Sequence, residues 1–190
     1  MATLNTTNIK HGSSSSNNIV LASDGSTTIS NLSGGVGKVV QVVSAVKTGQ
    51  SSTTSDSMSD TGLTASITPS ATSSKILVQV CHPFRIHRSG EYEGYGGIDV
   101  LRDSTVIYEA AKRSGAGYTG IFISIGVNAS FAGNSNTHNL TIMDSPSSTS
   151  SLTYKTQYAI DYSSQLYLNP THGDSNYTPH STIVLMEIAA

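Results

Sequence analysis

Leu152, Tyr154, Thr156, Tyr158, Ile160 and Tyr162 occupy every second position of the stretch 152–162. That repeat puts one row of side chains on a single side of an extended strand, whereas a helix repeats near 3.6 and scatters the same residues around its axis. Leu63, Ala65 and Ile67 alternate in the same way, as do Ile121, Ile123, Ile125 and Val127, and no stretch carries a helical period. Further apolar or alternating runs cover 38–47, 75–81, 96–110, 138–143, 165–170 and 181–189, set apart by clusters of Ser, Thr, Gly and Asn. "LRDST" at 101–105 turns the run 96–110 into a hairpin. About eight to ten strands at this spacing predict an all-β fold, an antiparallel jelly-roll sandwich, with the last run holding the C-terminal end in a sheet.

The first 36 residues read differently. They carry only two formal charges, Lys10 and Asp24, and are dominated by Ser, Thr, Asn and Gly. Within them, 19–22 and 27–30 flank Asp24-Gly25, a pair suited to the positive φ of a tight turn, which predicts a small hairpin. One hairpin alone is marginal in water, so its order requires contacts from elsewhere. The expected organisation is an extended N-terminal arm, 1–36, followed by a head domain, 37–190, with the Gly-rich stretch "SGGVGK" (33–38) as the hinge. At about 3.3 Å per residue such an arm reaches roughly 120 Å.

Charge narrows the function classes. Ten Lys and Arg against twelve Asp and Glu give a net charge of −2, with 12% charged residues, which offers no basic patch for nucleic acid. The start lacks the basic residues and apolar stretch of a secretion signal, and no run approaches a membrane span, so membrane insertion is not expected. The single cysteine, Cys81, excludes an internal disulfide framework and reads as a small buried hydrophobe, in keeping with assembly in a reducing cytoplasm.

Motifs for chemistry are weak. "GAGYTG" (115–120) precedes a strand-like run rather than the helix a pyrophosphate needs, and "GGVGKV" (34–39) lacks the first P-loop glycine and the magnesium-binding Ser or Thr. His82 and His87 fall on opposite faces of a strand, and His172, Asp174 and His180 share a polar loop without a fixed ligand spacing, so neither metal nor cofactor is expected. Glu91 and Glu93 would be in phase on an extended segment, as a glycosidase pair needs, yet they read better as a charged surface loop.

The most informative feature is uneven charge: the region from His82 to Arg113 holds five of the ten Lys and Arg and five of the twelve acids. Arg85, His87, Arg88, Glu91, Tyr92, Glu93 and Tyr95 mix charge with aromatic rings, the composition of a recognition surface or subunit contact.

"MATLNTTNIKHGSSSSNNIVLASDGSTTI", "GKVVQVVSAVKT", "GLTASITPSATSSKILVQV" and the closing "STIVLMEIAA" resemble small virion structural proteins of tailed bacteriophages, marine phages and cyanophages in particular. The resemblance is strongest at the start, over 37–80 and at the last strand, and weakest over 82–115 and 144–180. It implies a head similar to the jelly rolls of tumour necrosis factor and complement C1q, a homotrimer, and attachment of the N-terminal segment to phage capsid or tail proteins. In that picture Asn8, Ile9, Ile19, Val20, Leu21, Ile29 and Leu32 attach the arm to the virion. The function expected is a non-enzymatic virion-surface protein assembled in the host bacterial cytoplasm, a capsid-decorating or head fibre. The alternative is a tail fibre that recognises a host surface glycan or protein.

Overall fold

The computed structural model describes residues 8–9, 12–13, 19–25, 27–29, 38–88, 95–110, 122–123, 135–160, 164–171 and 178–189. The chain divides into two compact units, Met1–Gly37 and Lys38–Ala190.

In the first unit, β1 (Asn8–Ile9), β2 (Ile19–Leu21) and β3 (Thr27–Ile29) form an antiparallel sheet in that order. The expected hairpin is β2–β3. Its turn is closed by the Gly25 N–H donating to the Ala22 carbonyl at 3.1 Å, with Gly25 at φ +84°, a conformation glycine adopts without a Cβ penalty.

The second unit is an antiparallel β-sandwich of jelly-roll-like arrangement, without helix among the described residues. Its strands are β4 (Val39–Lys47), β5 (Ser51–Thr53), β6 (Ser59–Ile67), β7 (Lys75–Arg88), β8 (Tyr95–Arg102), β9 (Thr105–Tyr108), β10 (Phe122–Ile123), β11 (Ser135–Asp144), β12 (Leu152–Ile160), β13 (Ser164–Leu168) and β14 (Ser181–Ile188). One sheet runs β4-β14-β7-β13-β5 with β11 on the far edge of β7; the other runs β10-β8-β12-β6 with β9 also on β8. The C-terminal strand β14 lies between β4 and β7, fixed on both edges.

The two sheets meet through the alternating rows. Leu63, Ile67, Ile76, Val78, Tyr154, Ile183 and Leu185 pack one cluster, and Phe84, Ile86, Ile98, Ile160, Leu166 and Leu168 a second. At about 1.5–3 kcal/mol per fully buried large apolar side chain, these rows supply the main force holding the layers together.

β7 departs from expectation. The sequence ended this strand at Cys81, before Pro83, but it continues to Arg88. β14 pairs with Lys75 to Cys81 and β13 with Phe84 to Arg88 along one edge, so Pro83 sits where one neighbour gives way to the other. The Pro83 carbonyl points to that edge and accepts from the Asn169 N–H at 2.9 Å, so the N–H that proline lacks would also have faced the gap between ladders. Short β5 is a strand beyond the expected runs, and β10 is the only described part of the run expected over 120–131.

Candidate interaction surface

Alternation that turns one side of each strand to the core turns the other side outward, and β4, β14, β7 and β11 together build a broad outer face. Register places Val42, Met186, Leu77 and Met143 side by side across the four strands. The next row is Ser44, Val184, Gln79 and Thr141, and the next Val46, Thr182, Cys81 and Asn139. None of these residues is charged, and Val42 and Met143 are 57% and 52% exposed. Between β14, β7 and β11 the face dips into a shallow depression of about 290 Å³, lined on the outside by Gln79, Cys81, Asn139, Thr141, Thr182 and Val184. Cys81 is thus half-buried on the outer face rather than in the core, as its sequence context suggested; partial burial raises its thiol pKa and keeps it protonated.

Past Pro83 the chemistry of the same face changes because β13 replaces β14 as the neighbour. The Arg85 guanidinium lies 4.7 Å from the centre of the Tyr167 ring, a cation–π contact. The Tyr167 hydroxyl donates to Gln165 Oε1 at 2.6 Å, and Gln165 Nε2 donates to Ser52 Oγ at 3.2 Å. Arg85 Nε is buried and donates to no described atom, while His87, across from Gln165, is exposed.

Two of the expected recognition residues, Arg85 and His87, therefore share this face, and the structure adds Tyr167 and Gln165 to them. Their signal lay in "QLYL", where Leu166 and Leu168 take the buried phase and leave Gln165 and Tyr167 outward. Tyr95 belongs to β8 in the other sheet and is half-buried. The Arg88 backbone pairs with Ser164, whereas its side chain and Glu91, Tyr92 and Glu93 lie outside the described residues.

No protein-family model matches this chain, and no curated protein matches it. The chemistry of its surfaces and interior carries the functional reading.

Of the arm residues, Asn8, Ile9, Ile19, Val20, Leu21 and Ile29 fall in the three-stranded sheet of the first unit, with Ile9 and Leu21 44% and 40% exposed; Leu32 lies outside the described residues. The glycine motifs at 34–39 and 115–120 fall outside them wholly or in large part, as do His172 and Asp174, while His180 is exposed. Among the described residues no three His, Cys, Asp or Glu side chains approach closely enough to hold a metal ion.

The polar groups buried between the sheets form an ordered chain of hydrogen bonds around His82. Asn169 Nδ2 donates to the Lys47 and Gly49 carbonyls, which leaves its Oδ1 to accept from the Ser181 hydroxyl at 2.7 Å. Ser181 Oγ therefore accepts from His82 Nδ1–H at 2.8 Å, and His82 Nε2 accepts from the Thr156 hydroxyl at 3.0 Å. Thr61 in turn donates to Thr156 at 2.6 Å and accepts from the Leu63 N–H. Burial first, then the neighbouring His138 and Lys47, push the His82 pKa down to about 3, so the ring is neutral. The Ser181 proton is directed to Asn169 rather than to the imidazole, the reverse of a nucleophile–base pair. Thr156 does donate to the imidazole, but both groups are buried from any substrate.

Proposed function

We propose that this chain is a non-enzymatic structural protein of a bacteriophage virion, a self-associating capsid-decorating or head-fibre protein whose N-terminal segment, 1–36, ties the jelly-roll-like head to the particle. The observation that carries this reading is the uncharged patch that β4, β14, β7 and β11 build on the outer face of the six-stranded sheet, between Lys75 and Arg85 of β7. A row such as Val42, Met186, Leu77 and Met143 left in water is unfavourable, and identical copies cover it without bringing like charges together. A homotrimer is the assembly proposed. The division of the chain at Gly37 supports an appendage with a role separate from the head.

The test uses particles and the chain with and without 1–36. The expected result is that the truncated chain stays folded and self-associated but no longer binds capsids, while the full chain is found at many symmetry-related capsid positions by cryo-electron microscopy. A truncated chain that decorates capsids as well as the full one refutes the attachment role.

Arg85 over Tyr167 supports a second reading, a tail fibre that binds an anionic host glycan through that end of the face. It predicts a ligand-dependent rise in melting temperature that Arg85→Ala abolishes. Few copies at the tail and a positive glycan screen would favour it over decoration.

A further inference from the structure

Past Pro83 the outer face of the six-stranded sheet holds a guanidinium that the described residues leave without an acceptor. Register sets Ser135 of β11, Arg85 of β7, Tyr167 of β13 and Ser52 of β5 in one row, so their side chains share the outward side. Arg85 lies against the Tyr167 ring and forms no hydrogen bond or ion pair with a described residue. Its Nε is buried, which leaves the terminal nitrogens as the donors that a bound molecule reaches. His87 and Gln165 make the next row, and no carboxylate stands in either row to balance the charge.

A guanidinium offers parallel N–H donors, which a carboxylate accepts as a matched pair of bonds, and a single guanidinium balances a single negative charge better than a doubly charged phosphate. The neighbours select the molecule that bears the carboxylate. The Tyr167 hydroxyl donates to Gln165 Oε1 and Gln165 Nε2 donates to Ser52 Oγ, so this chain of bonds runs one way. The Tyr167 oxygen keeps accepting lone pairs and the Ser52 hydroxyl keeps its proton. Sugar hydroxyls donate and accept at once, so they meet both ends of the chain. The apolar side chains that accompany an acidic peptide find only Tyr167 in this row, and its ring already carries Arg85. Leu77 and Arg85 are eight residues apart on β7, roughly 26 Å along the strand, so copies that meet over the Leu77 row leave Arg85 open.

We propose that Arg85, Tyr167, Gln165 and Ser52 form a subsite for a uronic acid residue of a glycan, with Arg85 on the carboxylate and Tyr167 and Ser52 on the ring hydroxyls. This rests on the reading of that end of the face as a glycan site and narrows its ligand from any anionic glycan to a carboxylate-bearing sugar. It holds equally for a chain on the capsid or on the tail.

The experiment titrates the full chain with methyl glucuronide, neutral methyl glucoside, a sulfated glucose, acetate and an Asp-rich peptide, and reads affinities by ligand-observed NMR. The glucuronide is expected to bind, and the glucoside and acetate to bind about tenfold more weakly or worse. Arg85→Ala is expected to weaken the glucuronide by about tenfold or more, with the head still folded by circular dichroism. Arg85→Lys keeps the charge without the paired donors and should also weaken it, and Gln165→Ala should weaken the glucuronide but not acetate. Glucuronide affinity unchanged in both Arg85 variants overturns the subsite. Acetate bound as tightly as the glucuronide, or the peptide bound more tightly, overturns the sugar. A sulfated glucose that binds where the glucuronide does not overturns the carboxylate while leaving the anionic-glycan reading intact. If neither charged sugar binds, the subsite and that reading fall together.

Discussion

Two buried side-chain clusters tie the layers of the head together, and each turns on one residue. Asp144 on β11 accepts from Arg102 Nη1 at 2.6 Å and from the Tyr154 hydroxyl at 2.7 Å, so a strand of one sheet is held by two strands of the other. Burial, then the Asp144 carboxylate, raise the Tyr154 pKa and keep its hydroxyl a donor, while the carboxylate holds the guanidinium charged. Tyr154→Phe removes that one donor from a fully buried ring without opening a cavity, and a loss of about 1–2 kcal/mol in urea denaturation is expected. An unchanged midpoint would mean that the hydroxyl contributes nothing net. His82 and Glu187 set the response to acid. The unfolded chain protonates a histidine near 6.5 and the folded chain protonates His82 only near 3, so between these values the unfolded state holds the extra proton and stability falls as pH falls. Glu187 is buried, and burial alone would raise its pKa. Donation from Ser70, Gln41 and Ser74 outweighs that and brings it down to about 2 from 4.5, so its contribution is present above 4.5 and is lost as pH falls toward 2. The two slopes add in the same direction, each at most about 1.4 kcal/mol per pH unit. Urea midpoints at pH 7, 5 and 4 should decline steadily, and the decline from 6.5 to 5 should shrink but not vanish in His82→Gln, because burial also pushes His138 down to about 4; a slope over that interval unchanged by His82→Gln would show that His82 titrates normally.

Element by element, the strands were readable wherever a buried row alternates with an outward one, as in 62–69, 152–162 and 181–189. The hairpins at Gly25 and at Asp103 were readable from their turn residues, with Asp103 at φ +52°. Pairing between distant strands was not, because nothing local says that β14 and β13 share one edge of β7; that follows from Pro83 standing at the junction, where a missing N–H is harmless. For the same reason Arg85 and His87 were legible as charge beside aromatic residues, but their partners Tyr167 and Gln165, distant in sequence, were not. Gly96 was equally silent. A Cβ there would stand 3.0 Å from the Ala159 carbonyl oxygen and 3.0 Å from Ile160 Cδ1, so the absence of a side chain lets β8 lie close against the end of β12. Gly96→Ala must push backbone, and a cost of about 1–3 kcal/mol is expected from thermal or urea unfolding. A variant as stable as the wild type would show that β12 yields freely at that end.

For the whole molecule, the question is whether the uncharged patch of β4, β14, β7 and β11 is covered in solution. Long exposed sheet faces and edges promote association, and natural chains usually break them with charge. Along β4 the valines at 39, 40, 42 and 46 are all more than 40% exposed, with lysines only at positions 38 and 47 flanking them. A chain that must remain alone has little reason to keep such a face; a chain that meets its own copies there uses it as the interface. Met143→Asp separates the two cases. Met143 is 52% exposed, so a carboxylate at that position is hydrated in a single chain, and the melting temperature of a lone chain should shift only slightly. In an assembly the carboxylate would be taken out of water against Leu77 and its neighbours, a cost that Lys75, one row further along β7, offsets only in part, and the copies should separate. Light scattering is then expected to give an oligomer for the wild type and one chain for the variant, with the circular dichroism spectrum retained. An oligomer of undiminished mass in Met143→Asp would place the contact between copies elsewhere on the chain.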